Sequence, residues 1–388
     1  MVEEAHRLGL KVFMDVTMHG VMDKRAWQAR SGRNSNEPTM PEEHPYLKKH
    51  PEWFSRNESA QVATTYTYAF DHANASWQDF MAHVFTYYVT EYDVDGFRVD
   101  SHTWNFFPNW ARALPYPASA SFYGSARLFK RIRRELKAIK PEVVFYTETS
   151  GPLLHSSHEL GYNYEETWML VNMLPLASRH GVLCHGLQAG HVTGWRMSAR
   201  DMAMWLAQHR LAMPAGAIKV RSLDNHDTYW PSHEFRRETF GKEAARAIVA
   251  LFAFIEGGFM DFNGADEGDQ EFYRKVMRLR RDLPALKHGK CDYLAVEPSE
   301  RMVFAPMWEH EGRYVLPVIH LDNSEVTTVL PLPFEAMRLS AGGYRVWERM
   351  QGEEILGPTA ALWSIDDLRS LSLSLGPYGI ALLEIQPA

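Results

Sequence analysis

Four short polar clusters in this sequence carry side chains that could do chemistry: Asp15 with His19, Arg98 with Asp100, Glu148, and Asn225-His226-Asp227. Each sits at or just past the end of an apolar run that reads as a buried strand. A carboxylate in such a place is costly unless it is solvated, paired or used. One alone is ordinarily a cap or half of an ion pair. Taken singly, Asp15 and Glu148 read as structural groups, His19 as either a core or a contact histidine, and Arg98-Val99-Asp100 as a possible strand-end ion pair. Four clusters in register at the ends of four strands point instead to one shared rim. The carboxyl groups of Asp100, Glu148 and Asp227 are the set needed to break a glycosidic bond. One attacks the anomeric carbon and one protonates the leaving oxygen, roughly 5 Å apart when configuration is retained. A third can stabilise the positive charge that develops on the sugar.

The elements that must position these groups alternate. A short helix over Val2–Leu8 ends at Gly9, and Leu10–Val16 reads as a buried strand. Trp77, Phe80, Met81, Val84, Phe85 and Tyr88 recur at helical spacing ahead of a strand over Val94–Asp100. Ala126, Phe129, Ile132, Leu136 and Ile139 mark the next helix, followed by a strand over Val143–Thr147. Leu160–Trp168 is expected as a further strand. Helix returns between Ser198 and Leu211, strand near Ile218–Leu223, helix over Gly241–Phe254, strand near Phe259–Phe262, and a last helix stopping at Pro284. Alternating strands and helices imply a parallel sheet with crossovers. Regular patterning fades between Gly20 and Asn74, which reads as an inserted excursion. After Lys290 short strands separated by turn residues predict an antiparallel β-domain.

Bulk properties exclude several classes. The 388 residues are 45% hydrophobic and 23% charged, in the range of globular proteins. A net charge of −7 without runs of one sign gives no basis for nucleic-acid binding or for attraction to acidic membranes. No apolar run is long enough to span a bilayer. The two cysteines, Cys184 and Cys291, have no metal or redox spacing. With no secretory signal pattern, a cytoplasmic setting is expected. His155 and His158 have near metal spacing but no third ligand, so a plain loop is expected there. Oligomeric state is not legible.

With these motifs in order, the sequence resembles the α-amylase family of retaining glycoside hydrolases and transglycosidases. Asp15-Val16-Thr17-Met18-His19 matches the family's Asp followed four residues later by His. Gly96-Phe97-Arg98-Val99-Asp100 matches Gly-Phe-Arg-x-Asp letter for letter. Glu148 follows a buried strand, and Asn225-His226-Asp227 matches Asn-His-Asp. The resemblance implies a (β/α)₈ barrel over residues 1–19 and 75–288, an insertion over 20–74 and a C-terminal β-sandwich over 289–388. It implies Asp100 as nucleophile, Glu148 as acid/base with a raised pKa, and Asp227 as third carboxylate, all three around one sugar ring. It further implies that Arg98 keeps Asp100 ionised, and that His19, His226, Asn225 and Trp104 contact a carbohydrate substrate above Asp15. Trp104, Phe106, Phe107 and Trp110 could form a sugar-stacking wall or simply pack their loop.

Two departures from the family pattern carry expectations of their own. An Asn that binds calcium in α-amylases is replaced by Met18, a poor ligand for a hard cation, so no calcium and no other cofactor is expected. The Asp15 strand resembles the third strand of the family's barrel, so two strands, and a stacking Tyr that follows the second, are expected to be missing. The implied activity is hydrolysis of α-glucosidic linkages. The same residues serve a transglycosidase, and His50-Pro51-Glu52-Trp53-Phe54 is similar to a string in maltosyl-transferring members. A non-catalytic fragment or an amylase-like binding protein is the remaining alternative.

Overall fold

The computed structural model describes residues 1–22, 45–64, 67–100, 105–149, 151–174, 182–183, 187–188, 196–229, 233–335, 337, 342–358 and 362–388. The chain divides into two compact units, one of Met1–Tyr162 with Met213–Ile218, the other of Asn163–Ala212 with Lys219–Ala388.

The first unit is built on parallel strands β1 (Phe13–Thr17), β4 (Gly96–Asp100), β5 (Val144–Thr147) and β6 (Leu160–Gly161), hydrogen-bonded in that order. Between β1 and β4 the chain makes an excursion whose ends close as an antiparallel pair, β2 (Gly20–Met22) with β3 (Thr67–Ala69). Helix Ala75–Tyr92 leads into β4 and helix Gly124–Ile139 into β5. The first is capped by Asn74, whose side chain accepts from the Trp77 amide at 3.0 Å, and it ends on Asp93 in the left-handed region at φ 54°.

Alternation along the strands sorts the side chains. Phe97 on β4 and Phe145 on β5 turn to the helices and meet Phe85 and Phe129, with ring centroids 4.6 Å apart for Phe85 and Phe97. All four rings are fully buried. The opposite face therefore carries Arg98, Asp100 and Tyr146, because period-two geometry leaves them nowhere else. Register aligns Asp15 with Arg98 and Arg98 with Tyr146, and Thr17 with Asp100 one step further on. At the start of β4, buried Asp95 holds the other end of the sheet. It accepts from His6 at 2.6 Å, Lys11 at 3.2 Å and the Val12 amide at 2.8 Å, and pairs with Lys140 at 3.0 Å.

The excursion over 20–74 is less separate than its patterning suggests. Among its described residues, Trp53, Phe54 and Phe70 join Trp77 in the core of the first unit, with Phe70 and Trp77 stacked at 3.8 Å.

In the second unit β9 (Ile218–Arg221) pairs in parallel with β10 (Gly258–Phe259), and a two-residue pair, β7 (Val182–Leu183) with β8 (Leu187–Gln188), precedes them. Among the described residues there are thus six parallel strands, four in the first unit and two in the second. The segment Leu160–Trp168 is not one strand. It breaks after Gly161, and a helix runs Tyr164–Met173 with Glu165 and Glu166 in its first turn, where the helix dipole favours acids.

Residues 290–387 form a seven-stranded antiparallel sheet and a separate pair, Val326–Val329 with Ser372–Leu375. Leu316, Val318, Leu383 and Ile385 of the sheet share a core with Leu330, Leu371 and Leu375, the two-layer packing of a sandwich. The other face of the sheet packs on a helix that precedes it in the chain. Val315, Ile319 and Leu382 pack with Ile248, Leu251 and Phe252 of helix Lys242–Ala253, so the β-domain and that helix form one unit.

Candidate active site

The polar face of β4 centres on one guanidinium. Arg98 Nη1 donates to Asp15 Oδ1 and Oδ2, both at 3.1 Å, and to Asp100 Oδ1. Nη2 donates to Glu148 Oε2 at 3.0 Å. The planar fork of arginine is suited to gripping several carboxylates at fixed angles. Its plane lies over the Tyr162 ring, 5.3 Å from the centroid, and Tyr162 packs on Tyr146 at 4.8 Å. Glu148 reaches the site because its amide donates to Val99 O at 3.3 Å, prolonging the β4–β5 ladder by one residue. Arg98 and Glu148 are buried, Asp100 is 19% exposed, and Asp15 is exposed.

His19 approaches from the β1 side. Its Nε2 faces Asp100 Oδ2 at 3.5 Å, and its Nδ1 meets Thr67 Oγ1 at 3.1 Å. The backbone beneath is clamped. Asn105 Nδ2 donates to His19 O at 2.8 Å and to Phe70 O at 2.6 Å, and the Phe70 amide donates to His19 O at 3.0 Å. Met18 is buried in the apolar core, and its carbonyl accepts from His72 Nε2 at 3.2 Å.

Burial acts to raise the Asp100 pKa, but a hydrogen bond from His19, the Arg98 charge and hydrogen bond, and a hydrogen bond from the Glu148 carboxyl outweigh it. Asp100 is therefore held well below the usual carboxylate range. Burial likewise opposes the Arg98 charge, and Tyr162, Asp100, Glu148 and Asp15 together hold it in place. The Tyr162 hydroxyl is pushed up to about 12, chiefly by burial, and stays protonated. The site thus places one firmly ionised carboxylate, Asp100, beside a second carboxyl, Glu148, on the same guanidinium.

In the second unit Asp227 lies in the short helix His226–Tyr229, just beyond β9. The Tyr164 hydroxyl donates to Asp227 Oδ2, and His226 Nε2 is 3.6 Å from Oδ1. Both motif residues are part-exposed. Asn225 behaves differently. It is buried, its Oδ1 accepts from the Thr228 amide at 3.0 Å, and its own amide donates to Thr228 Oγ1 at 2.9 Å. It caps the turn that presents Asp227, the role of an N-cap side chain. Below it, Asp224 accepts from the Arg236 amide at 2.8 Å and is pushed up to about 7, chiefly by burial.

Of the residues singled out from sequence, the first unit brings together Asp15, His19, Arg98, Asp100 and Glu148, and the second groups Asn225, His226 and Asp227. Trp104 lies outside the described residues. Sequence reading missed Tyr162, Tyr146, Thr67, Asn105 and Tyr164. Tyr146, directly before Thr147-Glu148 and aligned with Arg98, was reachable from strand alternation. The others act from loops or across long separations and carry no local signal. Among the described residues no group of three or more His, Cys, Asp or Glu is arranged to hold a metal, and no helix is long and apolar enough to cross a membrane.

No protein-family model matches the sequence, and no curated protein does. Solved structures do. The chain is similar to a maltogenic α-amylase from Thermotoga neapolitana at 18% identity and TM-score 0.68, over 99% of this chain and 79% of that one. It is similar to an α-amylase from Geobacillus thermoleovorans, solved with acarbose, at 11% identity and TM-score 0.66, over 99% and 79% of the two chains. It is similar also to a debranching enzyme from Nostoc punctiforme at 15% identity and TM-score 0.63, over 98% and 77%. At these identities the likeness is one of fold.

Proposed function

We propose that this chain, whose fold is that of the α-amylase family, is a glycoside hydrolase that cleaves α-glucosidic linkages of oligo- or polysaccharides by double displacement. The observation that carries the reading is Arg98 holding Asp100 and Glu148 on one fork, Nη1 on the first and Nη2 on the second. Two carboxyl groups gripped by one guanidinium suit the close spacing of a retaining pair better than the roughly 6.5–9.5 Å of an inverting one. Asp100, held ionised by Arg98 and His19, is the nucleophile. Its carboxylate oxygen bonds to the anomeric carbon as the glycosidic C–O bond breaks, and the Glu148 proton passes to the departing oxygen. Glu148, now a base, takes a proton from water. The resulting hydroxide attacks the anomeric carbon and releases Asp100, which restores both groups.

We assign to Asp227 the third-carboxylate role, holding sugar hydroxyls and opposing the oxocarbenium-like charge. The Tyr164 hydroxyl supports this by fixing the orientation of the carboxylate through its hydrogen bond to Oδ2. His19 and His226 are assigned to sugar hydroxyls. Transfer to an acceptor hydroxyl instead of water would use the same steps, and the ratio of the two depends on how well water is excluded.

The test is to trap the protein with a 2-fluoro-glucosyl donor bearing a good leaving group and to map the adduct by mass spectrometry. A single glucosyl ester on Asp100 is expected, and it should be absent from the Asp100→Asn variant. A label on another residue would sink the assignment.

A further inference from the structure

One exposed indole sits on a loop that is braced more firmly than its position on the surface requires. Trp110 is 49% exposed, yet its amide donates to Arg56 O at 2.9 Å. The preceding residue, Asn109, is buried and hydrogen-bonded through both ends of its amide. Its Oδ1 accepts from the Arg56 amide at 2.8 Å and the Ala111 amide at 3.0 Å, and its Nδ2 donates to Asp71 Oδ2 at 2.6 Å. Asp71, itself buried, also accepts from the Tyr116 hydroxyl at 2.8 Å. Three residues past Trp110 the turn carries Ala113 at φ 59°, a conformation that L side chains rarely adopt. A buried carboxylate, a buried amide and a turn with a left-handed residue thus fix the backbone on both sides of an exposed indole.

The same loop is tied to the site. Asn105, five residues earlier, clamps the His19 backbone, and His19 faces Asp100. Five residues span at most about 17 Å of chain, so Trp110 lies within a few sugar rings of the reacting centre.

We infer that Trp110 is a preformed stacking platform for a pyranose ring of the α-glucan chain, engaging it beyond the ring being cleaved. The indole presents a flat apolar face suited to the C–H face of a sugar, and its rigid backbone lowers the ordering cost of binding. This rests on the α-glucan reading above.

Affinity electrophoresis through gels containing soluble starch tests it without turnover. The unaltered protein should be retarded. Trp110→Ala should bind the starch about ten-fold more weakly, while Trp110→Phe should retain most of the retardation. The thermal midpoint of Trp110→Ala should stay near the parent value, which a merely structural role would not allow. In the unaltered protein, an α-glucan heptasaccharide should protect Trp110 from oxidation by N-bromosuccinimide, read by mass spectrometry. Equal retardation of parent and Trp110→Ala, or unprotected oxidation while starch still binds, overturns the platform alone. No retardation of the parent by starch overturns the α-glucan reading together with it.

Discussion

Arg98 Nη2 lies 3.0 Å from Glu148 Oε2, joining residues fifty positions apart across two neighbouring strands. Because Nη1 of the same guanidinium holds Asp15 and Asp100, one buried cation gathers three carboxyl groups. Replacing it by lysine keeps the charge and loses the fork. Arg98→Lys should therefore fold but lose at least about a hundred-fold in kcat, with the acidic limb of the kcat/KM profile moving to higher pH as Asp100 becomes harder to ionise. Steady-state kinetics on an aryl α-glucoside across pH 3–8 reads both effects. A variant with parent kcat and an unmoved limb would show that the fork is not needed.

The Tyr164 hydroxyl orients Asp227 by donating to its Oδ2. Tyr164→Phe removes one hydrogen bond to a charged group and little else. It should lower kcat about ten-fold with KM changed much less, since the lost interaction matters most when charge develops on the sugar. Loss confined to KM would instead make Tyr164 a ground-state contact.

Stability should pass through a maximum in mildly acidic solution. Asp95 and Asp100 sit well below the ordinary Asp value, the first against the effect of burial through the Val12 amide, His6, Lys140 and Lys11. The unfolded chain then binds more protons than the folded one, and their contribution is lost as pH falls below about 4. Asp224, pushed up to about 7 by burial, works in the opposite direction. Its contribution is full below about pH 4 and is lost as pH rises through 7. Thermal midpoints measured from pH 3 to 9 should fall on both sides. The amide in Asp224→Asn can still accept from Arg236 and does not ionise, so this variant should flatten the fall between pH 5 and 8.

Phe97 is the ring around which β4 packs, touching Phe85 and Phe145 on the face opposite Arg98. Phe97→Ala should cost about 3–5 kcal/mol, from lost burial and the cavity left behind. Because it lies on the strand that carries Arg98 and Asp100, residual activity should fall with the folded fraction. Denaturant melts and activity recorded on the same samples would separate the two.

Much of the site was legible in one dimension because strands alternate with period two. An apolar run ending in Phe97-Arg98-Val99-Asp100 can bury its phenylalanine and valine only by turning its arginine and aspartate to the other face, and the same rule applied to Tyr146 and Glu148. The four motifs, their order and the parallel scaffold follow from such local patterning, as does the antiparallel character of residues 290–387. Asn225 was legible as a motif but not as a cap, since capping is decided by the turn it closes with Thr228.

What only the tertiary structure decided are the contacts with no sequence period. Arg98 reaches Asp15 and Glu148 across strands, Asn105 joins His19 to Phe70, Tyr164 finds Asp227, and Asp71 and Asn109 brace Trp110. How the β-sheet packs on residues before 289 is decided in the same way. A core is shared wherever apolar faces meet in space, and helix Lys242–Ala253 meets the β-sheet there. Periodicity reports which way a side chain faces, and only the folded chain reports what stands opposite it.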